Sequence, residues 1–464
     1  MRPELVILAA LALTVCSPDP AAPTTAQDAS STAGPDSWPT GGTDEPPTPT
    51  TGPGPTSGPA TTGEATTGPA GSTGPDPTTG GMDDDEALLR QAIAGEVDPG
   101  EALKTIARRG GLPVATAGGD YLFACLCGPG AWQLAGDHDN WSGAPMNAAG
   151  PLWWLEAEVP APDGSLYKFH DPETPAPDDW IADPLGRRYG YDDNGRYSLV
   201  AATAVHLERW YGFSGAGLQP RDVQVLVPDQ GIFSHALYVH DGQNLFDPGS
   251  INGGWKLQDS APPGLLIVGI DNTGTLRLDE YTHVPDIYDG INEGGGLAAD
   301  YAMLVDGVIR PQMEDAYGPA EVVGTMGSSL GGLVSLVIAD LYPDRYAMAL
   351  SLSGTMGWGS IGLHNQTIIE RYAAAGHRDI AIYIDSGGFG PCGDLDMDGV
   401  DDDTDDADNY CENAQLRDVL TNVGYSEGAD LWYVYAPNGQ HSEFDWAARV
   451  DVPMAAFMTL SATP

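Results

Sequence analysis

The chain has 464 residues, with 66 acidic against 19 basic side chains and a formal net charge of −47 at pH 7. A field of that sign repels phosphate backbones and anionic headgroups, which excludes nucleic acid as a partner and leaves membrane contact to a lipid anchor. The length admits two or three domains, but residues 1–83 are dominated by Thr, Pro, Gly, Ser and Ala, so any packed core comes from the remainder.

The chain opens with Arg2 followed by an apolar run from Leu5 to Val15, which is too short to span a bilayer and reads as an export signal over residues 1–16. Leu13-Thr14-Val15-Cys16 resembles a bacterial lipoprotein processing box, with Val15 departing from the usual small residue. A surface or periplasm-facing lipoprotein and an ordinary secreted protein therefore both remain open. Residues 17–83 repeat Thr-Gly-Pro and Pro-Thr-Thr-Gly fragments and cannot bury enough apolar area to offset chain entropy, so they are expected to be a disordered spacer.

Residues 84–112 carry Leu88, Leu89, Ala92 and Ile93, then Ala102, Leu103, Ile106 and Ala107, at helical spacing on either side of Asp98-Pro99-Gly100. From 113 to 203 the pattern changes to short strands such as Tyr121–Ala124, Leu152–Leu155 and Leu166–Phe169, predicting a small all-β sandwich. Gly136–Trp141, Leu152-Trp153, Tyr167–Phe169 and Trp180–Pro184 resemble the immunoglobulin-like module ahead of isoamylase-type enzymes and enterobactin-type esterases. Trp141, Trp153 and Trp180 are then either core residues or a glycan-stacking surface. Residues 204–464 alternate strand and helix: Val223–Val227, Ala236–Val239, Leu265–Ile270, Val322-Val323, Met348–Leu352, Ile380–Ile384 and Leu431–Tyr435 read as strands. Such alternation predicts a parallel sheet with helices on both faces, an α/β class.

Within that part, Gly327-Ser328-Ser329-Leu330-Gly331 stands between an apolar strand and an apolar helix. A nucleophile elbow needs this arrangement, because the sharp turn lifts the central hydroxyl clear of the sheet while flanking glycines let the backbones approach. Ser329, with Gly at both −2 and +2, is the candidate nucleophile. A hydroxyl needs a base, and His441 in Pro437–His441 lies just past the last strand, where an α/β-hydrolase delivers it. His364 and His377 lie in or near helical stretches.

The acid is expected after strand Ile380–Ile384. There Asp394, Asp396 and Asp398, the Val400 carbonyl, Asp402 and Asp405 have the alternating oxygen ligands and the Gly399 turn of a Ca²⁺ loop. The run resembles the aspartate-rich repeats of thrombospondin-type proteins, and the ion would be structural. Asp408, directly before a helix, and Asp385, ending the strand, remain as candidates, with Asp408 favoured. Backbone N–H groups of Gln243 and Leu330 would hold the oxyanion. Of the cysteines left after Cys16, Cys392 and Cys411 would staple the acidic loop, and the pairing of Cys125 and Cys127 is open.

His240–Phe246, Gly254-Trp255, Glu280–Thr282, Gly327–Gly332 and Gly439–His441 together resemble the Putative esterase family, over roughly residues 218–460. The resemblance implies an α/β-hydrolase fold, a triad of Ser329, Asp408 and His441, and serine esterase activity through an acyl-enzyme without a cofactor for the chemistry. Its acid stands just before an Asn/Gln-aromatic pair, which supports Asp408, and the acidic insert departs from the pattern. Arg277 and Glu280 fall in a matching segment as candidates to line the cleft. The expected substrate is an extracellular small-molecule or glycan ester, a siderophore or acylated carbohydrate among them. An acyltransferase with the same residues, a non-catalytic carbohydrate-binding surface protein and a calcium-structured adhesion protein are the rival readings.

Overall fold

A computed structural model describes residues 82–288, 290–402 and 408–461. The export-signal and spacer expectations fall almost wholly on residues 1–81, and Asp405 on 403–407, outside the described residues. Among the described residues no helix is long and apolar enough to cross a membrane.

The central sheet contains β1 (His206–Phe213), β2 (Arg221–Val227), β3 (His235–His240), β4 (Leu265–Ile270), β5 (Val322–Ser328), β6 (Met348–Leu352), β7 (Ala381–Ser386) and β8 (Leu431–Tyr435). Their order across the sheet is β8-β7-β6-β5-β3-β4-β2-β1. From β4 to β8 neighbouring strands are parallel, whereas β2 runs antiparallel to β4 and to β1. That arrangement is an α/β-hydrolase sheet. Strand β4, Leu-Leu-Ile-Val-Gly-Ile, is buried at every position, as a strand covered on both faces requires.

Alternation along the strands sorts the two faces. Leu237, Val239, Ile267, Leu350 and Tyr383 join Trp446, Val450, Met454 and Phe457 in one apolar cluster, which docks the C-terminal helix Asp451–Phe457 on the sheet. Tyr238, one residue out of phase, stands instead near Asp306 and Arg310 of the helical stretch 298–317. Helix α1 (Leu330–Leu341), apolar nearly throughout, is buried from Leu330 to Asp340.

Residues before β1 form two sheets. Val114–Ala115, Tyr121–Cys125, Leu152–Ala157 and Asn147–Ala149 make one of them. The other, with Arg188–Asp192, Gly195–Leu199, Leu166–His170 and Gln133–Gly136, continues the central sheet, because β1 pairs both with Arg188–Asp192 and with β2. Phe123, Trp132, Leu134, Tyr167 and Phe169 pack between these sheets. Helices Met82–Ala94 and Pro99–Arg108 lay Leu89, Leu103 and Ile106 on Leu122 and Leu152, and Asp98 caps the second by accepting from Glu101 N–H at 2.9 Å. Cys125 bonds to Cys127 and Cys392 to Cys411.

Asp183 lies in this region, only 3% exposed, accepting from Tyr167 O–H at 2.8 Å and Leu185 N–H at 2.9 Å. Burial pushes its carboxyl up to about 6, against those hydrogen bonds. A carboxyl raised in the folded state contributes stability that is complete below its unfolded value near 3.8 and is lost as pH rises through about 6. Asp183→Asn, neutral at every pH, is therefore expected to gain on wild type by several degrees in melting temperature between pH 4.5 and pH 7.5. An identical difference at both pH values would contradict this account.

Candidate active site

The turn from β5 into α1 places Ser329 at φ 57° and ψ −127°, a backbone region that non-glycine residues rarely enter. Two glycines permit it. A Cβ on Gly327 would lie 2.6 Å from the Gly331 carbonyl carbon, and one on Gly332 would collide with Ser351 Oγ. Ser329 N–H donates to Leu352 O at 2.9 Å, and Ser329 O accepts from Gly332 and Leu333 N–H, so the turn is held from both sides.

His441 comes to Ser329 from the loop after β8. Its Nε2 lies 2.8 Å from Ser329 Oγ, and its Nδ1 lies 3.2 Å from Asp408 Oδ1. Trp446 meets the imidazole edge-on at 4.9 Å between ring centroids. Asp408, 1% exposed, turns its other oxygen to Gly387 N–H at 2.6 Å and to Arg449 Nη2 at 3.1 Å. Asp385, the alternative acid, is bonded to other groups, while the imidazole Nδ1 is taken by Asp408. Its Oδ1 accepts from Arg449 Nε and Nη2 at 3.1 and 3.0 Å, its Oδ2 accepts from Tyr383 O–H at 3.0 Å, and burial pushes its carboxyl up to about 6.

The loop carrying Gln243 leaves β3 at the same sheet edge, since β3 pairs in parallel with β5 at Val239 and Met326. Gly242 packs on the β4 backbone, where a Cβ would lie 2.7 Å from the Gly269 carbonyl carbon. Gln243 Oε1 accepts from Asn272 N–H at 3.1 Å. Leu330 opens α1, and the first N–H groups of a helix have no intrahelical acceptor. His240, the last residue of β3, is buried between Tyr301 O–H and Thr325 Oγ1, at 2.9 and 3.0 Å; burial pulls its ring down to about 3 and keeps it neutral.

Arg277 and Glu280 do structural work here. Arg277 reaches Asp241 with two N–H groups at 2.8 and 2.7 Å, fixing the loop that carries Gln243. Glu280 does not line the cleft: it is 1% exposed and forms a two-pronged pair with Arg221 at 2.9 Å for both bonds. Arg449, Ser353 and Trp446 are residues beside the site that sequence reasoning missed, because an arginine in a turn or a tryptophan in a short helix, without a motif, looks like an ordinary surface or core position.

In the acidic loop, Asp394, Asp396 and Asp398 each offer an oxygen within 4.8 Å of the others. Gly399 has φ 98°, and Val400 is buried. Asp402 Oδ2 accepts from Leu395 N–H at 2.7 Å. Burial raises the Asp396 carboxyl, with Asp398 and Asp402 adding to it. The spacing fits a hard cation, whose oxygen ligands stand about 2.3–2.6 Å from it.

The family described as Putative esterase matches residues 215–457. Uncharacterized protein YbbA of Bacillus subtilis (strain 168) is 31% identical over 132 residues, 27% of this chain and 52% of that protein, so the chain spans about half the length of this curated relative. Among solved structures, ferric enterobactin esterase from Salmonella typhimurium aligns at a TM-score of 0.41 and 15% identity, covering 75% of this chain and 95% of that one. An IroE-like serine hydrolase from Shewanella oneidensis aligns at 0.42 and 18%, covering 54% and 80%. MPT51 (FbpC1) of Mycobacterium tuberculosis aligns at 0.40 and 15%, covering 55% and 99%.

Removing one partner of a buried ion pair leaves the other uncompensated, which typically costs about 3–5 kcal/mol. Glu280→Ala is thus expected to lower stability by about that amount in urea titration, with the KM of the folded variant unchanged within about twofold. A cleft-lining role would give the reverse, a raised KM at wild-type stability.

Proposed function

The chain belongs to the Putative esterase family, and from that premise we propose that it is an esterase that hydrolyses an extracellular carboxylic ester with Ser329 as nucleophile. The observation that carries the reading is the contact of 2.8 Å between Ser329 Oγ and His441 Nε2, at the end of a strained strand-to-helix turn.

In this reading, Ser329 Oγ attacks the ester carbonyl while His441 Nε2 takes the hydroxyl proton. Asp408 accepts from His441 Nδ1–H, selecting the tautomer that leaves Nε2 free and stabilising the imidazolium that forms. The tetrahedral oxyanion is held by the N–H groups of Gln243 and Leu330. Collapse breaks the ester C–O bond, and the imidazolium returns its proton to the leaving alcohol. Water, deprotonated by the same imidazole, then releases the acid from Ser329. Every proton passes through His441 Nε2, first from Ser329 to the leaving alcohol and then from water back to Ser329, and the substrate class is a small-molecule or glycan ester.

The acidic loop belongs to the same proposal as a structural Ca²⁺ site. Asp394, Asp396, Asp398 and Asp402 with the Val400 carbonyl would hold the ion. Calcium there neutralises carboxylates that otherwise repel one another, and takes no part in bond making.

Hydrolysis of p-nitrophenyl esters and of a natural panel of siderophore and acylated-carbohydrate esters tests the enzymatic reading. Ser329→Ala and His441→Ala are expected to lose at least about 10³-fold in kcat. A wild-type protein inactive on the whole panel, or an active Ser329→Ala, would overturn it. For the loop, isothermal titration with Ca²⁺ is expected to show binding that Asp398→Ala abolishes; heat traces alike in both proteins would remove calcium from the account.

A further inference from the structure

Asp385 and Asp408 both have side chains inaccessible to solvent, yet they share one cation. Arg449 Nη2 lies 3.0 Å from Asp385 Oδ1 and 3.1 Å from Asp408 Oδ2. The same nitrogen donates to Ser353 Oγ at 2.6 Å, and Ser353 Oγ accepts from Trp446 Nε1 at 3.0 Å. Trp446 is the ring that meets His441 edge-on. The guanidinium also underlies the loop of the histidine, since a Cβ on Gly439 would lie 3.3 Å from Arg449 Nη1. One side chain therefore reaches both faces of His441's surroundings, through the Asp408 carboxylate and through Ser353 and Trp446.

Two carboxylates this deeply buried cannot both remain ionised without a paired charge, since burial and mutual repulsion each favour protonation. A protonated Asp408 would lose the charge that stabilises an imidazolium. We propose that Arg449 is a positioning residue for the reaction, holding Asp408 as an anion turned toward His441 and, through Ser353 and Trp446, setting the plane of the imidazole, with Asp385 as its anchor. Tyr383 O–H, Asp408 and Arg449 are the ionisable groups around Asp385, whose carboxyl is pushed up by burial. The inference rests on the reading of Ser329, His441 and Asp408 given above.

The experiment measures kcat and KM of the full chain on a p-nitrophenyl ester for Arg449→Met, Arg449→Lys, Asp385→Asn and Asp408→Asn, with Ser329→Ala as control. Arg449→Met is expected to lower kcat at least about tenfold with KM within about twofold, as for a group acting only on the transition state. Arg449→Lys, which keeps the charge but not the fork, is expected to recover part of that loss. Asp408→Asn should be the most damaging variant, on the order of 10³–10⁴-fold, and Asp385→Asn milder than Arg449→Met. Wild-type kcat in Arg449→Met, a loss confined to KM, or Asp385→Asn as damaging as Asp408→Asn would each overturn the proposal. Should Arg449→Met fail to fold by circular dichroism, Arg449→Lys and Ser353→Ala carry the test. At least threefold lower kcat at constant KM in both supports the proposal, and wild-type kcat in both refutes it. An active Ser329→Ala would instead bring down the nucleophile reading itself, and an inactive Ser329→Ala beside wild-type-like Arg449 variants would bring down this inference alone.

Discussion

Ser329 occupies a backbone conformation that costs a side-chain-bearing residue about 1–3 kcal/mol, and such strain persists only where the surroundings over-determine it. Here the surroundings are specific. Its N–H is taken by Leu352 O in the neighbouring strand, and its carbonyl accepts from Gly332, Leu333 and, at 3.3 Å, Thr355. Gly327 is pressed against Gly331, so the turn cannot relax without separating β5 from α1. The hydroxyl consequently leaves the sheet edge in one direction, and every loop that contributes to the site has to arrive at that point.

The means by which those loops arrive are mostly electrostatic. In a chain with 66 acidic and 19 basic residues, carboxylates brought together at one sheet edge would repel each other. Three arginines counter this. Arg277 binds the Asp241 carboxylate and fixes the loop after β3, Arg221 binds Glu280 below it, and Arg449 joins Asp385 and Asp408 below the loops after β7 and β8. Each is a multi-bond or fork contact in a shielded place, where an ion pair is worth more than at the surface.

How much of this could be read beforehand follows from how local each signal is. The elbow is a five-residue pattern between two apolar runs, and the strand–helix alternation needs only hydropathy, so the sheet class and the strand-to-helix turn at Ser329 are legible. His441 follows from chain order, and it stands 2.8 Å from Ser329. The antiparallel placement of β2, and the continuation of the sheet through β1 into Arg188–Asp192, depend on pairing between segments and leave no mark in either segment alone. Glu280 read as a candidate to line the cleft because its partner Arg221, 59 residues away, leaves no mark beside it. Arg449 is unreadable for the same reason: its contacts with Asp385, Asp408 and Ser353 span 64, 41 and 96 residues.

The ambiguity between Asp385 and Asp408 has a physical origin in the insert between them. Helix α2 (Tyr410–Val423) begins two residues after Asp408, and its first turn is tied to the loop after β6 as well as, through Cys411, to the acidic loop. Asn409 Nδ2 donates to Ser353 O at 3.0 Å, Asn413 Nδ2 donates to Gly354 O at 2.8 Å, and the Glu412 carboxylate accepts from Met356 and Gly357 N–H at 3.0 and 2.7 Å. The position of Asp408 is therefore set by the helix start, while the Cys392–Cys411 bond closes the acidic segment as a separate excursion. Lengthening such a loop adds only a logarithmic entropy cost, so chain could be inserted there without moving the carboxylate. Counting forward from the strand points to Asp385; counting back from the helix points to Asp408. The helix start, pinned to the loop that follows β6, determines which carboxylate faces the imidazole.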